Sequence, residues 1–197
     1  MQVSVAQPHD IDQAVDCLTS AFSADPITRF LLQPGQEYPN RLRHFFSLLM
    51  QARVVLGMPV LLSRDASAVH GAAMGYTTSR PEWPSEVSES WEALAKAIPG
   101  FDERMSVYDC IAESYKPQAA HYYLGAIGVH PAMHGLGIGA QLLRSFCALS
   151  DYDQESAGVY LETANPANVK FYEQSGFTIS GSGSIGDDTI WCMFRPR

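Results

Sequence analysis

Three glycines alternate in the stretch His134-Gly135-Leu136-Gly137-Ile138-Gly139, between an apolar run and a helical pattern. That spacing can do chemistry without a charged side chain. Glycines lack Cβ atoms, so a bulky anion can lie against the backbone. The unpaired N–H groups at a helix start point toward it, helped by the positive end of the helix dipole. A Walker loop is excluded, because no Gly-Lys-Ser/Thr follows. The dinucleotide fingerprint is a closer rival. Gly135-x-Gly137-x-x-Ala140 satisfies it, and Glu162 lies where that motif wants an acid. Organisation argues against it. A dinucleotide fold begins with its fingerprint, whereas this loop lies two-thirds along the chain, with one strand–helix unit and a hairpin after it.

The elements that must position this loop can be read on both sides of it. Gln2 to Ala6 alternates as a first strand. Asp10 stands as an N-cap before an amphipathic helix carrying Ile11, Val15, Leu18 and Phe22. Asp25-Pro26 opens a short second helix, stopped by Gln33-Pro34-Gly35, and Arg41 to Val55 reads as a third. Val60 to Leu62 and Val69 to Thr77 form a hairpin across a polar turn. From about 79 to 117 the chain changes character: two helical segments, with Trp91, Leu94 and Ile98 as one apolar stripe, read as an insertion over the sheet. His121 to Val129 is a strand, followed by the glycine loop and its helix. Val159 to Glu162 is another strand. Asn165-Pro166 starts a last helix that Gly176 closes. Phe177 to Ser180 and Thr189 to Phe194 make a final hairpin across a Gly/Ser-rich loop. The expectation is an α+β (mixed α/β) fold, with a mixed sheet covered by helices.

The chain has 197 residues, which suits one domain spanning 1–197, and its apolar share of 46% can fill a sizeable core. A formal net charge of -8 excludes an ordinary nucleic-acid binder. No apolar run is long enough to span a bilayer, and the first residues lack a signal peptide's basic region and apolar core. Cys17, Cys110, Cys147 and Cys192 form no Cys-x-x-Cys pair and sit in apolar surroundings. They read as buried free thiols of a cytoplasmic protein. The histidines show no ligand spacing, so no metal site is expected.

From Tyr122 to Phe177 the chain resembles the GCN5-related N-acetyltransferase (GNAT) superfamily. Leu124 to Val129, Pro131 and the glycine loop resemble its fourth strand and its Gln/Arg-x-x-Gly-x-Gly/Ala motif. Asn168, Phe171, Tyr172, Gly176 and Phe177 resemble the pattern of its last helix. His134 departs from the family, standing where Gln or Arg is usual. A weaker likeness to the puromycin-acetyltransferase-like branch lies in Ala21-Phe22 with Asp25-Pro26, in His121 to Leu124, in Leu161-Glu162-Thr163 and in the ending Trp191 to Pro196.

The resemblance implies a central, mostly antiparallel sheet of six to seven strands, splayed like a V between strands 4 and 5. It implies acetyl-CoA as co-substrate, with no metal, and direct attack by a small-molecule primary amine. The pyrophosphate would lie on His134, Gly135, Leu136, Gly137, Ile138, Gly139 and Ala140. Ile127, Gly128 and Val129 would form a bulge that supplies an oxyanion N–H and pairs with pantetheine, and Asn168 would bond the same arm. Tyr172 matches the family's general acid. For the base, Glu162 is the first candidate; His121, Glu113 and water stay open. Phe22, Phe30, Trp83, Trp91, Tyr108 and Tyr123 are the expected acceptor-pocket aromatics. A homodimer is one assembly the resemblance admits. Two other functions remain beside this one: a non-catalytic acyl-CoA sensor, and a protein or peptide N-acetyltransferase.

Overall fold

The computed structural model describes residues 2–197. Its elements, in chain order, are β1 (Gln2–Val5), α1 (Ile11–Ala21), α2 (Pro26–Leu32), α3 (Tyr38–Val55), β2 (Val60–Arg64) and β3 (Val69–Tyr76). Then come α4 (Ser85–Ala97), α5 (Phe101–Tyr115), β4 (Tyr122–Val129), α6 (Ile138–Tyr152), β5 (Gly158–Thr163), α7 (Pro166–Glu173), β6 (Thr178–Ile185) and β7 (Asp188–Pro196). The strands form one sheet in the order β1-β2-β3-β4-β5-β7-β6. Neighbours run antiparallel except β4 and β5, which are parallel and pair only at Tyr122–Val159 and Tyr123–Tyr160. Beyond Tyr123 the two strands part, which is the expected V-shaped splay. From Leu124 onward the β5-facing edge of β4 is left for something else to pair with.

Apolar side chains fill both faces of the sheet. On one face Leu18, Leu42, Phe46, Met50, Met74 and Phe101 knit α1, α3 and α5 onto β3. On the other, Leu142 and Phe146 of α6 meet Val159, Phe177 and Met193. No helix among the described residues is long and apolar enough to cross a membrane.

Several local expectations need correction. The bulge in β4 is at Gly125, not at 127–129. Met74 faces Ala126 and Gly75 faces Leu124, so Gly125 has no partner across the ladder. One extra residue re-phases the strand's alternation. Tyr122 and Leu124 pack on the α6 side, Ala126 on the α1–α3 side, and Ile127 and Val129 again on the α6 side. Gly128 pairs regularly with Ala72. A Cβ there would lie 2.9 Å from that of Ala21 and 3.0 Å from the ring of Phe22, so this glycine lets α1 approach the sheet.

Asp10 does not cap α1 through its side chain. It ends a 3-10 turn (Pro8–Asp10), is buried, and accepts from the Gln7 N–H at 2.9 Å and from Arg64. Helix α3 starts at Tyr38, three residues before the expected start, with Pro39 in a first turn that needs no proline N–H. The Gly/Ser-rich stretch is part of strand β6, not a loop. A Cβ on Gly181 would lie 2.2 Å from the Tyr115 ring and one on Gly183 2.8 Å from Ile111, so bare backbone admits α5 here. The turn itself is short and holds Gly186 at φ +61°. Cys17, Cys147 and Cys192 are buried, but Cys110 is exposed, because the outer face of α5 meets nothing.

Candidate active site

Strand β4 runs through a 3-10 turn (Pro131–Met133) into the glycine loop. Gly135 and Gly137 have φ of +80° and +75°, and Gly137 is the left-handed residue that starts α6. Side chains strain that backbone, and nothing lies within 4 Å of where either Cβ would stand. The space in front of the loop is open. The helix's first backbone bond is donated by Gln141 to the Gly137 carbonyl. The amides of Ile138, Gly139 and Ala140 therefore have no intrahelical acceptor. Gly139 is ordinary helix, 3.6 Å from Val129 by its virtual Cβ.

A groove of about 550 Å³ runs along this loop, with Ile127, Gly128 and Val129 on one wall and Asn168, Phe171 and Tyr172 on another. His134 belongs to it, but its Nε2–H is donated to the Val129 carbonyl at 3.0 Å. That bond ties the ring to the end of β4. Leu136 is 61% exposed and contributes no lining, a departure from the expected cradle. At the tip of the turn its side chain points to water.

A second cavity, of about 540 Å³, lies between the sheet and helices α1 to α5. Its walls are aromatic: ring centroids of Phe22 and Phe46 are 4.9 Å apart, and those of Trp91 with Phe45 and with Trp83 are each 5.4 Å apart. Tyr108 and Tyr123 complete the expected set. Phe30 does not belong to it. It packs instead against Ile185, Ile190 and the Gly186 turn, because α2 turns that face toward the final hairpin.

Glu162 stands on the cavity floor. Its Oε2 accepts from the hydroxyls of Tyr108 and Tyr123, both at 2.9 Å. Loss of water around the carboxyl raises its pKa from the ordinary 4.5 to about 7, outweighing the two phenol bonds that favour the charged form. Burial and the neighbouring Glu162 hold both phenols well above their usual range. The other base candidates lie elsewhere. Glu113 of α5 pairs with Lys116 just past that helix, and the His121 Nδ1–H is donated to the Ala119 carbonyl at 2.8 Å. Burial pulls the His121 pKa down. Both line a separate chamber of about 370 Å³ that borders the aromatic cavity at Tyr76, Tyr108, Tyr123 and Glu162.

Groove and aromatic cavity meet. Phe22, Asp25, Ile127, Asn168 and Tyr172 line both. Asn168 and Tyr172 reach the junction one turn apart on α7. The Asn165 side chain caps that helix by accepting from the Ala167 N–H at 3.0 Å, and the Phe177 N–H closes it on the Tyr172 carbonyl at 3.1 Å. Tyr172 is 5% exposed, and its hydroxyl has no protein partner among the described residues. Burial, and then the nearby Asp25, raise its pKa, so it is a phenol at any physiological pH.

Two residues here were not among the site residues expected from the sequence. Asp25 caps α2, accepting from the Thr28 N–H at 2.9 Å, and that local duty hides its place at the junction. Arg53 lines the aromatic cavity from α3, and nothing in the helical pattern around it signals this. Among the described residues, no cluster of three or more His, Cys, Asp or Glu side chains is spaced to hold a metal ion.

Residues 102–179 match the family model described as an acetyltransferase (GNAT) domain. The whole fold is similar to solved structures of low identity. One is named as histone acetyltransferase HPA2 and related acetyltransferase from Corynebacterium glutamicum ATCC 13032, with 22% identity, a TM-score of 0.74, and 100% of this chain and 96% of that one covered. Another is an N-acetyltransferase from Staphylococcus aureus Mu50, at 17% identity and a TM-score of 0.62, covering 98% and 100%. A third is the mosquito arylalkylamine N-acetyltransferase like 5b, at 13% and 0.65, covering 100% and 99%. The matched segment, the splayed sheet and the glycine-started helix agree with one another: over residues 102–179 the chain is similar to the GNAT acetyltransferase domain, and its whole fold is that of the acetyltransferase structures named above.

Proposed function

We propose that this protein is a cytoplasmic, acetyl-CoA-dependent N-acetyltransferase acting on a small-molecule primary amine. One acetyltransferase domain spans 1–197, with α4 and α5 as a helical insertion at about 79–117. The observation that carries this reading is the junction itself. A groove suited to a pyrophosphate and an aromatic cavity holding a buried carboxyl, its pKa pushed up to about 7, open onto the same phenol.

The cradle fits CoA by its open, left-handed glycines and its unpaired helix amides. His134, Gly135 and residues 137–140 hold the pyrophosphate, mostly through backbone. Ile127 to Val129, on the free edge of β4, pair with pantetheine, and Asn168 bonds it. Bound donor supplies a thioester at the junction. Glu162 takes the proton an ammonium must lose before its nitrogen can attack. Tyr172 gives a proton to the departing thiolate, and both reactants share one site, which contributes the proximity effect.

Free-thiol release with a panel of amines and peptides tests this. Turnover of small amines is the expected result. CoA binding with no turnover of any acceptor would establish the sensor instead. Peptides outperforming small amines would move the assignment to protein N-acetylation, although the roof of α4 and α5 over the cavity favours a small acceptor.

A further inference from the structure

Among the described residues, Arg53 is a charge with no counter-charge. It projects from α3, is 4% exposed and lines the aromatic cavity. Its Nη1 donates to the Leu49 carbonyl at 2.9 Å, and its guanidinium stacks on the Tyr76 ring, 4.5 Å from the centroid. Its Nε is buried without any hydrogen-bond partner, and no carboxylate among the described residues lies within ion-pair distance. Nη2 lies beside the bulge, 3.2 Å from where a Cβ on Gly125 would stand. The missing Cβ leaves room beside it, and Gly125 is itself exposed to the cavity.

Buried polar groups are normally satisfied, and an unpaired buried cation is costly. A well-packed apolar residue would serve stability better. Cavity-lining positions are where such a cost has a use. The guanidinium fork suits a carboxylate, which it can meet with two parallel bonds. Glu162 lines the same cavity, and Tyr123 lies between the two, bonded to Glu162 and with its ring beside Gly125. Aromatic walls enclose both.

We infer that the acceptor is an aromatic or apolar amine that also carries a carboxylate, with Arg53 as the carboxylate's anchor. This rests on the aromatic cavity being the acceptor site. The amine end then faces Glu162 and the junction, and the carboxylate end faces Arg53. The reaction is otherwise as proposed above.

Matched pairs test it by calorimetry on the CoA-saturated protein: phenylalanine against 2-phenylethylamine, and 4-aminobenzoate against aniline. At least one carboxylate member should bind roughly tenfold to a hundredfold more tightly than its partner. Arg53→Met should erase that preference without lowering the ligand-free melting temperature. Arg53→Lys, which keeps the charge and loses the fork, should retain part of it and covers the case in which the methionine variant folds poorly. No preference in either pair would overturn the anchor, as would a preference that survives both substitutions. Thiol release run in parallel keeps the two readings apart. Turnover of amines with no carboxylate preference defeats the anchor and leaves N-acetyl transfer standing. A carboxylate preference in binding with no turnover of any amine keeps the anchor and defeats the transfer.

Discussion

Two phenol hydroxyls converge on one oxygen of Glu162, yet its carboxyl titrates near neutrality. Desolvation wins over hydrogen bonding there, and the sign of that balance makes predictions. Unfolded, this glutamate has its ordinary pKa of 4.5; folded, about 7. Between those values the folded state binds more protons, so stability falls as pH rises through that window and levels off above it. The penalty amounts to roughly 3 kcal/mol. Glu162→Gln should therefore unfold at higher urea at pH 8, by about that energy, and show no gain at pH 4. The same variant should lose most turnover. Wild-type kcat/KM should rise with pH through about 7, and the variant should lack that limb. A variant with full activity would show that water, His121 or Glu113 takes the proton. Tyr172 makes the complementary case. Tyr172→Phe should lower kcat roughly tenfold to a hundredfold and leave CoA affinity unchanged. Unaltered kcat would assign the thiolate's proton to solvent.

At the scale of elements, glycines decide what the strands can do, and they do so for different reasons. Gly181 lies under Tyr115, so Gly181→Val must push α5 away from β6. Overpacking of this kind costs about 1–3 kcal/mol. Because α5 carries Tyr108, the substitution should also loosen the phenol pair on Glu162 and shift the acid limb of the pH profile. A destabilised variant with an unmoved limb would show that α5's seating and Glu162's proton are independent. The same glycines explain what was legible in the sequence. The glycine loop was, because left-handed backbone at 135 and 137 demands glycine and the helix after them has a clear apolar period. The α7 motif was, because Asn165, Pro166 and Gly176 punctuate it locally. The bulge was not. Gly125 and Gly128 look alike in a string of letters, and only segments far along the chain tell them apart: the Met74–Gly75 step of β3, which skips Gly125, and Ala21 of α1, which packs on Gly128. The second half of β6, after Ser180, reads as a loop in the sequence because its Gly/Ser composition is turn-like, whereas the glycines answer to a helix some 70 residues earlier. Arg53 was invisible for a like reason: α3's pattern says nothing about what faces its last turn.

The molecule as a whole carries a net charge of -8, yet its proposed donor is a polyanion. Among the residues lining the groove there is no lysine or arginine. Attraction must then come from fixed backbone dipoles at one helix start, which need no side chain and hold against an unfavourable overall field. This makes the cradle's geometry decisive. CoA at a hundred times its Kd should stabilise the protein by about 2.7 kcal/mol, or roughly 5–10 °C for a domain of this size. Gly137→Glu puts a side chain on backbone at φ +75° and a carboxylate at the mouth of the groove. The ligand-free variant should melt a few degrees lower, since left-handed backbone costs a non-glycine residue about 1–2 kcal/mol. Its CoA-dependent shift should vanish. Those two effects separate strain from binding. A lower melting temperature with the full CoA shift would mean that the pyrophosphate lies elsewhere, and the junction at Tyr172 would lose its donor.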